Sequence, residues 1–227
     1  FNIWLAWVLF LVAAVAVFDN SNLLFNPFVV LSINPSATKE QVAEAYDEKQ
    51  ADGDVNDQLL RESRRVLLIP NQRLSAELSY LIDTPERTAL HTLKRLRKST
   101  DTSDMLPSAL ALSPVSRLNV LGHIGSISST SELLIAFMDA QASIDVGSVV
   151  KRCEKLRSVA GMPAPAEELV EQTLFILAEQ HLKSIFKSYD KASSAANDVL
   201  KCVEHTLRTQ TVGRKNRIAS LLAAYQD

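Results

Sequence analysis

Glycine and proline are scarce in this chain, at 6 and 8 of 227 residues, and aromatic side chains make up 6%. All-β sandwiches and barrels need frequent turns rich in these two residues, so the scarcity argues against them. Cys153 and Cys202 are the only cysteines, too few for a disulfide framework or a thiolate-rich zinc centre. No charge of one sign dominates: 24 Lys and Arg stand against 26 Asp and Glu, a formal net charge of −2. That balance supplies no overall attraction to phosphate backbones, and no nucleic-acid partner is expected.

Catalytic signatures are missing as well. His91, His123, His181 and His205 are scattered, with no His-Glu-x-x-His pair, Gly-x-Ser-x-Gly elbow or phosphate loop. No catalytic, cofactor-binding or metal-ligating residue is therefore assigned, and a non-enzymatic protein is expected. In Leu121-Gly122-His123-Ile124-Gly125 small neighbours suit close helix contact or a ligand, and a satisfied core histidine is the expected role.

What the chain does have is 47% apolar residues, enough to build a core. Long amphipathic stretches separated by capping residues predict an all-α fold. Cys153 and Cys202 lie on apolar helical faces, where reduced, buried thiols are expected; one bridge stays open should the two helices touch.

Ile3 to Phe18 reads IWLAWVLFLVAAVAVF, sixteen apolar residues without a charge. As a helix it would extend about 24 Å, slightly short of a bilayer core, and residues ahead of Phe1 would lengthen it. Trp4 and Trp7 near one end, with Asp19-Asn20 as a polar exit, suit a membrane helix. Ala14-Val15-Ala16 suits a signal peptide, but no basic region precedes the run. A helix buried in its own core or in a partner subunit fits equally well, since hydropathy does not separate lipid from protein interior.

After the leader, Asn26 to Leu31 predicts a short first helix with Pro27 in its opening turn. Thr38 and Gln41 have capping-box spacing, so a second helix should start near Lys39, present Val42, Ala45, Tyr46 and Lys49 along one side, and stop before Gly53. A third should run from Asn56 to Ile69 and close at Pro70, with Leu59, Leu60, Ser63, Val66 and Leu67 at helical spacing. A fourth is expected over Asn71 to Ile82, carrying Leu74, Leu78 and Leu81.

The order of these pieces resembles the J-domain of DnaJ-type co-chaperones over residues 26–82. The match rests on Asn26 to Leu31, on Ala37-Thr38-Lys39-Glu40-Gln41-Val42 followed by Ala45-Tyr46, and on Arg65 to Arg73. The resemblance implies a helical module and a DnaK-type chaperone as partner. J-domains act through a His-Pro-Asp tripeptide after the second helix, but here that loop reads Ala51-Asp52-Gly53-Asp54-Val55-Asn56-Asp57. Their second helix is usually basic; here Glu40, Glu44, Asp47 and Glu48 face only Lys39 and Lys49. An acidic helix repels an acidic chaperone surface. Ser32 stands where a glycine is usual after the first helix. The fold carries over, and no functional residue does.

The acidic loop also has a partial EF-hand spacing in Asp52, Asp54 and Asn56. Asp57 replaces the turn glycine, however, and Ser63 the bidentate glutamate, so a solvated turn is expected.

Thr84-Pro85-Glu86 should start a helix reaching Lys98 with Leu90, Leu93 and Leu96 inward. Lys94, Arg95, Arg97 and Lys98 crowd its last turn, where they complement the helix dipole; a phosphate or lipid patch is the alternative. Residues 99–113 turn polar and irregular and form the expected domain boundary. Further helices are expected from Ser113-Pro114 to Ile124, after a Ser129 to Glu132 capping box, from Asp145 to Ala160 with Gly161 as stop, over Ala166 to Tyr189, and near Ser194 to Thr209 and Arg214 to Tyr225.

The expected organisation is an apolar N-terminal helix over residues 1–20, a J-like module with an extension helix over 26–98, and a helical bundle or stack over 113–227. The expected role is an interaction or structural subunit with protein partners, in the cytoplasm or on the cytoplasmic face of a membrane contacted through Ile3 to Phe18. A divergent co-chaperone that binds a DnaK-type chaperone by another surface is the alternative.

Overall fold

The computed structural model describes residues 22–98, 105–128 and 130–189. The apolar run from Ile3 to Phe18, Cys202, His205 and the two helices expected after residue 190 lie outside them.

The described residues are all-helical, in ten α-helices and one 3-10 turn over Leu23–Phe25. The helices are α1 Pro27–Val30, α2 Lys39–Asp52, α3 Asp57–Leu68, α4 Pro70–Leu78, α5 Glu86–Lys98, α6 Leu106–Leu110, α7 Pro114–Ile127, α8 Ser131–Ser143, α9 Val146–Val159 and α10 Glu167–Tyr189.

Local chemistry sets most of the ends. Thr38 and Gln41 form the reciprocal capping box of α2, and Gly53 at φ 71° ends that helix in the left-handed conformation. Asn56 accepts from the Gln58 and Leu59 amides at the start of α3. Pro70 closes α3 and opens α4, where its missing amide hydrogen is not needed. Gly161 at φ 65° follows the end of α9.

Elsewhere the tertiary structure moves an expected end. The fourth helix stops at Leu78 and not Ile82, because the Asn119 side chain on α7 donates to the freed carbonyls of Leu78 and Tyr80, both at 2.7 Å. Ser113 does not cap α7 with its own hydroxyl, which donates to the Asp83 carbonyl. The Asp83 carboxylate does so from a distant turn, accepting from the Val115 and Ser116 amides at 3.0 Å. The cap of α8 is Thr130, one position later than the expected box, and its hydroxyl accepts from the Leu133 amide. A one-turn helix, α6, lies within the stretch expected to be irregular.

The helices pack in two connected groups. α2 and α3 form a hairpin, with α1 against α3 and α3 running into α4. α7 is the centre of the second group and packs on both α8 and α10. Its residues from Val115 to Gly125 are buried apart from Arg117, so protein encloses it on nearly all sides. α4 also packs on α10, as does α9. One hydrophobic cluster runs from Leu23 and Phe28 through Tyr46, Leu67 and Leu81 to Leu118, Phe137, Leu182 and Phe186. A second, around Leu74, Leu78, Val115, Val149, Cys153 and Val170, fills the space between α4, α9 and α10. Apolar contacts therefore cross the 99–113 segment from both sides.

Tyr46, Val66 and Leu67 are buried together, as their spacing implies. Leu90 is not: it is 57% exposed, while Ala89, Thr92, Leu93 and Leu96 form the inward face of α5. The inward stripe runs through 89, 92, 93 and 96, which puts position 90 about 100° away from Ala89.

Candidate functional site

Among buried groups the most charged cluster joins α4 to α9. Glu77 on α4 is fully enclosed; its Oε1 accepts from Arg73 Nε at 3.0 Å and its Oε2 from Arg157 Nε at 2.7 Å. Arg73 lies one helical turn before Glu77 and donates from Nη2 to the carbonyls of Pro35 and Ala37, both at 2.8 Å, and from Nη1 to that of Leu67 at 3.4 Å. The Phe28 ring lies 5.5 Å from its Cζ. Arg157 donates to the carbonyls of Pro70 and Pro163. Burial pushes the Glu77 carboxyl up from its ordinary value, against the pull of Arg157 and Arg73. Every nitrogen of both guanidiniums is directed at protein oxygen, so the cluster is a buried latch among four chain segments.

Asn26 and His181 are buried polar groups engaged in the same way. Asn26 caps α1 and also donates to the Ala76 carbonyl at 2.8 Å and to the Ser79 hydroxyl at 3.0 Å. His181 on α10 meets the Asn119 oxygen at 3.2 Å through Nε2, with the Phe137 ring edge-on at 6.2 Å. Gly122 leaves room for this histidine: a Cβ there would lie 2.2 Å from His181 Nδ1 and 2.3 Å from its Cγ. A Cβ on Gly125 would come within 2.6 Å of Ile185 and 2.8 Å of Leu133. The two glycines thus serve close contact of α7 with α10 and α8. His123 is 4% exposed, and burial lowers its pKa; His91 is exposed. Among the described residues, the structure does not bring His91, His123 and His181 into a common site with a nucleophile.

Cys153 is a buried free thiol, pushed up to about 12 by burial first and by Glu77 second. It is an inert packing group. In the acidic loop Asn56 is consumed as a cap and Ser63 is buried within α3. Among the described residues no group of three or more His, Cys, Asp or Glu is arranged to hold a metal ion.

What remains faces outward. A cleft of about 260 Å³ lies between the Ile82-Asp83 turn, the start of α7 and the α8–α9 junction, and is walled by Ile82, Val115, Ile144 and Val149. Its charged rim is already engaged: Asp83 caps α7, Arg152 donates to the Ile82 carbonyl, and Asp145 accepts from Ser148. A second groove, of about 370 Å³, runs along α2 beside Ile33, Ala37, Gln41, Glu44 and Glu48 and is acidic. Opposite in sign is α5, whose solvent face carries Arg87, His91, Lys94, Arg97 and Lys98 with Leu90 among them.

Among the described residues no single helix is long and apolar enough to cross a membrane. α8 and α9 pass that test only as a pair bent by 76°, and their apolar residues Leu133, Phe137, Val149 and Cys153 are buried in the protein's own core. Comparison of the chain with family models, with curated proteins and with solved structures finds no match to any of them.

Proposed function

We propose that the chain is a non-catalytic interaction subunit: a J-like helical module built onto a helical platform, attached through Ile3 to Phe18 to a membrane or a larger assembly on the cytoplasmic side. The observation that carries this reading is the Arg73–Glu77–Arg157 latch. The buried charges of the protein hold the J-like segment to the platform, and the outward faces of α2 and α5 are charged surfaces of opposite sign suited to partners. The resemblance is supported by Ser32, at φ 58°, which occupies in left-handed conformation the place where J-domains usually carry glycine.

Without the His-Pro-Asp tripeptide and with an acidic α2, the chain should leave the ATPase rate of a DnaK-type chaperone unchanged. Steady-state ATP hydrolysis with and without the full chain measures this. A several-fold stimulation that vanished on altering Asp52 to Asp57 would favour the second reading, a divergent co-chaperone. That reading is favoured by the helix order and by Ser32, and opposed by the acidic face of α2.

A further inference from the structure

The charged face of α5 is asymmetric. Arg87, Lys94 and Lys98 recur at spacings of seven and four, so they share one stripe, with His91 between them and Leu90 and Arg97 along its side. All are exposed, Glu86 is the helix's only acidic residue, and among the described residues none of Arg87, Lys94 and Lys98 forms an ion pair. Arg95, on another side, is held by the Ser108 hydroxyl, and Arg97 reaches the Val29 carbonyl at 3.4 Å. A helix that needed cations only for its dipole would not carry them as far back as Arg87 in its first turn.

The position of this stripe in the fold is the second observation. The 3-10 turn Leu23–Phe25 packs against α5, and Leu23 shares a core with Leu93 and Leu96. The apolar run that ends at Phe18 is joined to Asn22 by Asp19, Asn20 and Ser21 alone, a link of at most about 14 Å even when fully extended. The chain thus enters the described fold beside α5. Phe25 in that turn and Leu90 on the stripe are both more than half exposed, at 53% and 57%.

We propose that the Arg87–Lys94–Lys98 face of α5 docks on an anionic lipid surface. The cations lie over acidic headgroups and Leu90 enters the interface. An apolar segment of this length joined to a polybasic patch is a two-signal membrane attachment, in which the electrostatic part is reversible by salt. The inference rests on the membrane form of the tether reading only for the direction the face is turned; the charge stripe is tested separately.

The test is co-flotation of the full chain with vesicles of phosphatidylcholine alone, or mixed with phosphatidylserine, using the wild type and an Arg87→Gln/Lys94→Gln/Lys98→Gln variant. All these side chains are exposed, and unchanged helicity by circular dichroism verifies the variant's fold. The wild type should bind the anionic vesicles more tightly than the neutral ones, the increment should shrink with salt, and the variant should lose roughly a hundredfold of it, about fivefold per cation. Equal binding to both vesicles, or an increment the variant keeps, overturns the proposal. So does tighter binding to duplex DNA than to anionic vesicles, lost in the same variant, which makes the partner nucleic acid. Loss of binding to neutral vesicles by both proteins removes the apolar tether alone, and the anionic increment still decides the α5 face.

Discussion

At the scale of single residues, the fold places side chains where their ordinary preferences are opposed. Ser32 lies between α1 and α2 at φ 58°, a region where a Cβ is crowded, and its side chain is exposed. Ser32→Gly should therefore raise stability by about 1 kcal/mol, read as a higher denaturant midpoint at unchanged slope. His123 is opposed in a different way. Burial lowers its pKa below the ordinary 6.5, and among the described residues its Nδ1 has no hydrogen-bond partner. Above pH 6.5 both folded and unfolded chains keep this ring neutral; as the pH falls below it, the unfolded chain takes up a proton that the folded one refuses. Stability is thus lost on acidification, and His123→Gln should lose less than the wild type between about pH 7.5 and pH 5. Parallel urea titrations at the two pH values, compared between the two proteins, measure it.

At the scale of elements, close approach of α7 to its neighbours is the feature on which the platform depends. Gly122 and Gly125 lie one turn apart and receive His181, Ile185 and Leu133 where side chains would otherwise stand. Gly122→Ala gains helix propensity but drives a methyl group into an aromatic ring that its own contacts hold in place. A net destabilisation of about 1–3 kcal/mol is expected. Gly147 in α9 provides the contrast, since a Cβ there meets nothing closer than the Asp145 carboxylate at 3.8 Å. Gly147→Ala should be neutral or stabilising by up to about 1 kcal/mol. Thermal melts of the two variants that shifted in the same direction would show that propensity, and not packing, governs both.

At the scale of the whole molecule, α4 joins the segment of α1 to α3 to the platform of α7 to α10. Its Leu74 and Leu78 pack with Val149, Val170 and Leu174, and its Glu77 shares a salt bridge with Arg157 of α9. A fragment of residues 22–98 would leave Glu77 without Arg157 and those leucines in water. Removing one partner of a buried pair costs about 3–5 kcal/mol, comparable to the entire stability of a small domain. The fragment should therefore unfold without a cooperative transition, although the sequence marks 26–98 as a unit. A sharp urea transition for it by circular dichroism, at the midpoint of the full chain, would show that the segment folds by itself.

Local information in the sequence determined the helices whose ends are local: the Thr38 box, the break at Pro70 and the stops at Gly53 and Gly161. It also determined the buried stripes of α2 and α3, because periodicity reports which side of a helix is apolar. Only the tertiary structure decided the rest. The end of α4 at Leu78 follows from Asn119, the cap of α7 from Asp83, the outward turn of Leu90 from the packing of Ala89 and Leu93, and the burial of Glu77 from Arg157, eighty residues away. Each depends on a polar or steric partner distant in the chain, and such partners leave no period behind. Burial of a Glu between two Arg is legible only in space, because on a helical wheel Arg73 and Glu77 look like one more solvated pair.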